Sequence, residues 1–241
     1  MQFHESNIAI LTIVAQGMKD LLDQVVFVGG TVVSLYIDDP AAPVVRPTDD
    51  VDCVVKITSR VAHSKLEQKL RDLGFSHPVI EPDRRPLICR WSYKGIIVDV
   101  MPTDENLLGF SNAWYESGVA EAEHFTLPAG LAIRIFPVAH FLAAKLEAFK
   151  GRGRGDFQGS HDLEDIMAIL DGRRDIVKEL REASKNVIAY LKTEFAGMLA
   201  ISKFKDSIAG HLHPGPTNAA RRDRALQILT DLCDSKFMTQ T

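Results

Sequence analysis

The chain has 241 residues, 46% of them hydrophobic and 25% charged, with a formal net charge of −4. These values suit an ordinary globular protein of one large domain or two modest ones. No run approaches the ~18–20 apolar residues of a membrane-spanning helix. The opening MQFHESNIAI lacks the basic start and apolar core of a secretion signal, so a cytoplasmic protein without membrane contact is expected. Cys53, Cys89 and Cys233 show no CxxC spacing, which excludes a disulfide framework or zinc knuckle and leaves buried free thiols. Residues 1–133 hold 11 Lys and Arg against 18 Asp and Glu, a balance of −7, whereas 134–241 hold 17 against 14, a balance of +3. The acidic half is where a cation site is expected, and the second half is far from the basic stripe of a dedicated nucleic-acid binder.

In chain order, residues 6–22 repeat apolar side chains at helical spacing and predict an amphipathic opening helix. Residues 25–28, VVFV, form a short β-branched and aromatic run ending in Gly29-Gly30, a strand and tight turn followed by a helix over TVVSLYI. DVDCVVKI at 50–57 predicts a second strand, and 59–75 a helix with Gly74 at its C-cap. Residues 85–93 and 95–102 predict two strands joined at Lys94-Gly95. Residues 103–130 carry no clear pattern, and 131–137 predict a last strand. From there the period is helical: a helix over 137–150, a glycine-rich loop over 151–160, and Ser160 as N-cap of HDLEDIMAIL. Further helices are expected near 173–182, 184–200 and 218–234, with a turn-rich HLHPGPT between the last two. The fold class is therefore α/β, with a small mixed sheet and flanking helices over 1–136 and a helical bundle over 137–241.

The chemistry-bearing pattern is Gly29-Gly30-Thr31, then Arg46 to Asp52 (RPTDDVD), then Val98-Asp99-Val100. Side chains two apart on a strand share a face roughly 7 Å apart, so Asp50 and Asp52 project together. If the strand bearing Asp99 lies beside them, three carboxylates converge as Mg²⁺ and its bound phosphates require. Without a cation such a cluster repels itself, and Asp is disfavoured inside strands. In nucleotidyl transfer, Asp50 and Asp52 would bridge two metals, while Asp99 would hold the metal that activates the incoming hydroxyl and accept its proton. Gly29 and Gly30 would let backbone approach a triphosphate, with Thr31 adding a hydroxyl donor. Arg46 is either a triphosphate ligand or an exposed loop arginine. Arg152 and Arg154, set among glycines, form either a phosphate-gripping loop or a plain surface loop.

These residues resemble the nucleotidyltransferase superfamily pattern of a glycine turn, Asp-x-Asp and a third Asp on a later strand. More narrowly, GGTVVSL, RPTDDVD and IIVDV look like the AbiEii family of bacterial abortive-infection and toxin–antitoxin nucleotidyltransferases. Lys145-Leu146-Glu147-Ala148 and His161-Asp162-Leu163-Glu164-Asp165 look like that family's later motifs, so the resemblance spans roughly residues 25–170. It implies a Mg²⁺-dependent enzyme that transfers a nucleoside monophosphate from an NTP to an RNA end, such as tRNA, or to a protein hydroxyl, as a toxin with an antitoxin partner. It also implies a phosphate contact for Lys145 and a further active-site carboxylate at Asp162. Two departures stand out: the 19 residues between Gly30 and Asp50 imply an insertion near 37–45, and His161 replaces a usual Lys. Two alternatives remain. One is a catalytically silent relative acting as a binding or regulatory partner. The other is an HD-type metal phosphohydrolase using His161-Asp162 with His140, His211 and His213.

Overall fold

The computed structural model describes residues 2–78, 88–153 and 155–237, with side chains from Ser6 onward. The expected strand start at 85–87 and the loop residue Arg154 lie outside the described residues. The chain divides into two compact units, residues 1–34 with 46–137, and residues 35–45 with 138–241.

The first unit opens with α1 (Gln2–Gly17). Its Leu11, Val14 and Ala15, with Met18 just beyond, recur at helical spacing and are fully buried, and Asn7 falls on the same stripe. β1 (Val25–Val28) is buried throughout, as a β-branched strand flanked on both sides should be. A single 3₁₀ turn over Gly30–Val32 and the short α2 (Val33–Tyr36) replace the continuous helix expected after Gly30. β2 (Asp50–Val55) follows, then α3 (Arg60–Asp72), whose N-cap Ser59 accepts a 3.2 Å hydrogen bond from the Ala62 amide.

β3 (Arg90–Tyr93) and β4 (Ile96–Pro102) form the expected hairpin. Lys94 and Gly95 both adopt positive φ, 49° and 80°, as a two-residue turn of this hand requires. Two short helices, α4 (Glu105–Leu108) and α5 (Tyr115–Ala120), precede β5 (Glu123–Thr126) and β6 (Ala132–Ile135). β6 takes the place of the strand expected over 131–137. β5 escapes a periodicity search because it is an outer strand with mostly exposed residues and no apolar alternation.

The six strands make one mixed sheet in the order β3-β4-β2-β1-β6-β5. β2 runs parallel to β4 and antiparallel to β1, while β6 runs parallel to β1.

The second unit contains α6 (Val138–Arg152), α7 (His161–Gly172), α8 (Ile176–Glu182), α9 (Lys185–Leu199), α10 (Ser202–His211) and α11 (Asn218–Cys233). α6 runs into the glycine-rich stretch, and α10 was absent from the sequence-based expectation although Phe204, Ser207 and Ile208 bury one of its faces. The residues expected to form an insertion loop belong to this unit and are held by main-chain bonds. The amides of Asp38 and Asp39 both donate to the Gly172 carbonyl, at 3.1 and 3.0 Å. Arg173 and Arg221 donate to the carbonyls of Tyr36 and Ala41, at 2.9 and 2.6 Å. Among the described residues no helix is long and apolar enough to cross a membrane.

Candidate metal centre

Parallel pairing of β2 with β4 sets Asp52 directly beside Asp99 and Asp50 beside Ile97. Residues paired in this way share a face of the sheet, so the carboxylates of Asp50, Asp52 and Asp99 fall together. Val51, Cys53, Val98 and Val100 turn to the opposite face and are buried. Each of the three aspartates offers an oxygen lying within 4.8 Å of the others, and among the described residues no other group of His, Cys, Asp and Glu gathers three donors so closely. Asp99 is 9% exposed.

Four neighbours fix these carboxylates. The Thr48 hydroxyl sits 3.1 Å from Asp50 Oδ1 and donates to the Asp50 carbonyl at 2.9 Å. The fully buried Asn7 clamps the approach to β2 from both sides: its Nδ2 donates to the Arg46 carbonyl at 2.9 Å, and its Oδ1 accepts from the Thr48 amide at 3.1 Å. Arg90, opposite Asp99 in the hairpin, donates to both of its oxygens, from Nε at 2.9 Å and Nη2 at 2.6 Å. A carboxylate has about four lone-pair sites, so this bidentate pair still leaves room for an ion.

Gly29 is the fourth. Its φ of 76° is one that L side chains rarely adopt, and a Cβ there would lie 1.9 Å from Asp52 Oδ2. The glycine therefore makes space for the Asp52 carboxylate itself, a role closer to hand than the triphosphate approach expected from sequence. A Cβ on Gly30 would lie 3.0 Å from Arg46 Nη2, so the Arg46 guanidinium packs against the same turn. Thr31 is fully buried, and its hydroxyl has no hydrogen-bond partner among the described residues.

The electrostatic signature is that of an acidic pocket. Burial, then the charges of Asp52 and Asp99, push the Cys53 thiol well above its usual range. Burial and Asp99 raise Cys89 to about 11. The hydrogen bonds to Asp99 raise the Arg90 guanidinium still further above its ordinary value. Three carboxylates against Arg90 and the nearby Arg46 still leave local negative charge, and the donor set is all oxygen, which fits a hard divalent cation such as Mg²⁺.

The other sequence-derived candidates lie in the second unit. Lys145 is buried and pairs with Asp165 at 2.6 Å and Asp162 at 3.2 Å. Arg152 grips both oxygens of Asp162, at 2.9 and 2.7 Å. Lys145, Asp162 and Asp165 thus form a buried ion cluster, which the largely exposed Arg152 joins from the surface. His161 contacts Glu164 at 3.1 Å, and His211 contacts the Phe157 carbonyl at 2.6 Å. The histidines and Asp162 of the phosphohydrolase alternative form no three-donor group among the described residues.

Sequence reasoning assigned no role to Asn7, Thr48 or Arg90. For Arg90 a signal existed: a two-residue turn at Lys94-Gly95 forces residue 90 opposite residue 99. For Asn7 none did, because an asparagine on the apolar stripe of α1 does not announce its partner.

Fold and site together define the class: an α/β protein whose mixed sheet carries an acidic cluster suited to a divalent cation, joined to a helical unit. No family model matches the chain, and no curated protein matches it. Among solved structures it is similar to an antigenic nucleotidyltransferase-like protein from Paracoccidioides brasiliensis, at 18% identity and a TM-score of 0.49, over 84% of this chain and 93% of that one. Likeness that distant says nothing about chemistry.

Proposed function

We propose that the protein is a Mg²⁺-dependent nucleotidyltransferase that moves a nucleoside monophosphate from an NTP to a hydroxyl acceptor. The supporting observation is the convergence of Asp50, Asp52 and Asp99 at one end of β2 beside the Gly29 turn. Asp50, Asp52 and Asp99 would together hold the magnesium. When bound, the metal neutralises phosphate charge and eases deprotonation of the attacking hydroxyl.

The chain's own residues do the rest. Thr48 and Arg90 fix the planes of the Asp50 and Asp99 carboxylates, so little reorganisation is needed during reaction. Arg46, packed against the glycine turn, would meet the triphosphate, whereas Thr31, whose hydroxyl is fully enclosed, does not take that role. The acceptor oxygen bonds to the α-phosphorus as the bond from that phosphorus to the β-bridging oxygen breaks, pyrophosphate leaves, and the acceptor proton passes to Asp99. We assign this chemistry to residues 1–136 and a supporting helical domain to 137–241. The resemblance adds Lys145 as a phosphate contact and Asp162 as a further acidic residue, and nucleotide KM in Asp162→Asn measures that role. It also makes an RNA end, such as that of tRNA, or a protein hydroxyl the acceptor, in a toxin controlled by an antitoxin.

The test is incorporation of label from each α-labelled NTP into total RNA or protein, with Asp50→Asn and Asp52→Asn as controls. Transfer that depends on Mg²⁺ and on both aspartates is expected. Equal labelling by the variants would defeat the mechanism. Tight partner binding without metal or nucleotide binding would favour a silent regulatory protein.

A further inference from the structure

A second concave site lies wholly within the first unit, at the opposite end of β2 from the carboxylates. It is a cavity of about 480 Å³, within the range of small-ligand pockets. Strand β2 starts at Asp50 and ends at Val55. At ~3.3 Å per residue, Val55 in the cavity wall lies roughly 10 Å along the strand from Asp52 and its neighbour Asp99 and roughly 16 Å from Asp50. The two are distinct sites.

Four cations line the cavity: Lys56 just past β2, Lys65 and Lys69 one turn apart on α3, and Arg134 of β6. Asp23 is the sole acidic lining residue. Lys56, Lys65 and Lys69 form no ion pair among the described residues. Arg134 donates to the carbonyls of Asp23 and Val119, at 3.1 and 2.9 Å, which orients its guanidinium without neutralising it. Like charges at i and i+4 on a helix are unfavourable by themselves, and this cluster sits in the half of the chain whose balance is −7. Between the cations lies an apolar wall of Val55, Ile57, Leu66 and Val119, all buried.

A basic rim over an apolar wall recognises an anion carried on an organic body. We propose that this cavity binds a small organic phosphate, its phosphate held by Lys56, Lys65 and Lys69 and its less polar body against Val55, Ile57 and Leu66. The lysines supply mobile point charges suited to phosphate. The wall favours an organic phosphate over inorganic phosphate.

The experiment uses full-length Asp50→Asn/Asp52→Asn protein in EDTA, so that the metal centre contributes nothing and the outcome is independent of the transferase assignment. Adenosine 5′-monophosphate and inorganic phosphate are titrated by calorimetry at low salt. Saturable binding of the nucleotide is expected, about tenfold tighter than phosphate and weakened about tenfold by adding Lys65→Ala/Lys69→Ala. Both lysines are exposed on α3, so an unchanged Tm is expected to accompany that loss. The proposal fails if neither probe saturates, if the lysine substitutions leave binding unchanged, or if the two probes bind equally.

Discussion

Arg90 and Asp99 stand opposite each other across the β3–β4 hairpin, joined by two parallel hydrogen bonds of 2.9 and 2.6 Å. The register that creates this pair also sets Asp99 beside Asp52 on the neighbouring strand. Arg90 therefore spreads positive charge into a cluster of three carboxylates, which even with Arg46 nearby stays net negative. The arrangement can persist without a cation and still attract one.

Replacing Arg90 with Ala should remove that partial compensation. Charge-assisted hydrogen bonds contribute up to about 3 kcal/mol, and the 36% exposure of the arginine side chain reduces the expected loss to about 1–2 kcal/mol. Because the unrelieved carboxylates then gain more from a cation, Mg²⁺ should raise the Tm of Arg90→Ala further than that of the parent protein. Equal metal-induced shifts in the two proteins would show that the arginine does not balance the cluster.

Gly29→Ala places a Cβ against Asp52 Oδ2 at a positive φ. Strain of this kind costs about 1–3 kcal/mol, and the carboxylate must move as well. Chemical denaturation should show a loss of that order, and calorimetry should show Mg²⁺ affinity reduced at least about tenfold. Gly30→Ala meets only the 3.0–3.1 Å neighbours Arg46 and Thr48, so its loss should be smaller. A reversed ranking of the two variants counts against the role given to Gly29.

Asn7 is far from Asp50 in sequence, yet it fixes the loop that carries Thr48. Asn7→Leu removes two hydrogen bonds and strands a carbonyl and an amide, at about 2–3 kcal/mol in total. If the clamp also positions the metal ligands, the Mg²⁺ concentration needed for half-maximal activity should rise. Lost stability with an unaltered metal requirement would make Asn7 purely structural.

Acid should weaken the helical unit through Asp162. Burial raises its pKa, but the hydrogen bonds from Arg152 and the charge of Lys145 outweigh it, and the net shift is downward from 3.8. A carboxyl with a depressed folded pKa contributes stability that is complete above its unfolded value and disappears as pH falls through the folded one. Urea unfolding of the parent protein should therefore show an acid limb beginning near pH 4, and Asp162→Asn should flatten it. An acid limb of the same steepness in the variant would exclude this linkage.

Much of the candidate site could be read from sequence because strand geometry is repetitive. Two aspartates spaced by one valine must share a face, and Asp99 between two valines belongs to a buried strand. Asn7 was illegible because its partners, Arg46 and Thr48, are remote in sequence and only folding brings them to α1. β5 was missed because an outer strand with Glu123 and His124 exposed lacks apolar alternation. For Lys145 the resemblance implies a phosphate contact, and the structure shows a buried cation between two carboxylates. Motif spacing cannot report that, since α7 supplies both partners.

The residues 35–45 bear on how this protein can be dissected. Neither unit is a contiguous stretch of gene, and a scissor placed once at the 137/138 junction would strip the helical fragment of the eleven-residue strap whose amides cap the Gly172 carbonyl. The sheet-bearing fragment would keep that strap without the helices it fastens to. Anyone expressing the halves separately should transplant the strap onto the helical piece and bridge Ser34 to Arg46 with a short linker.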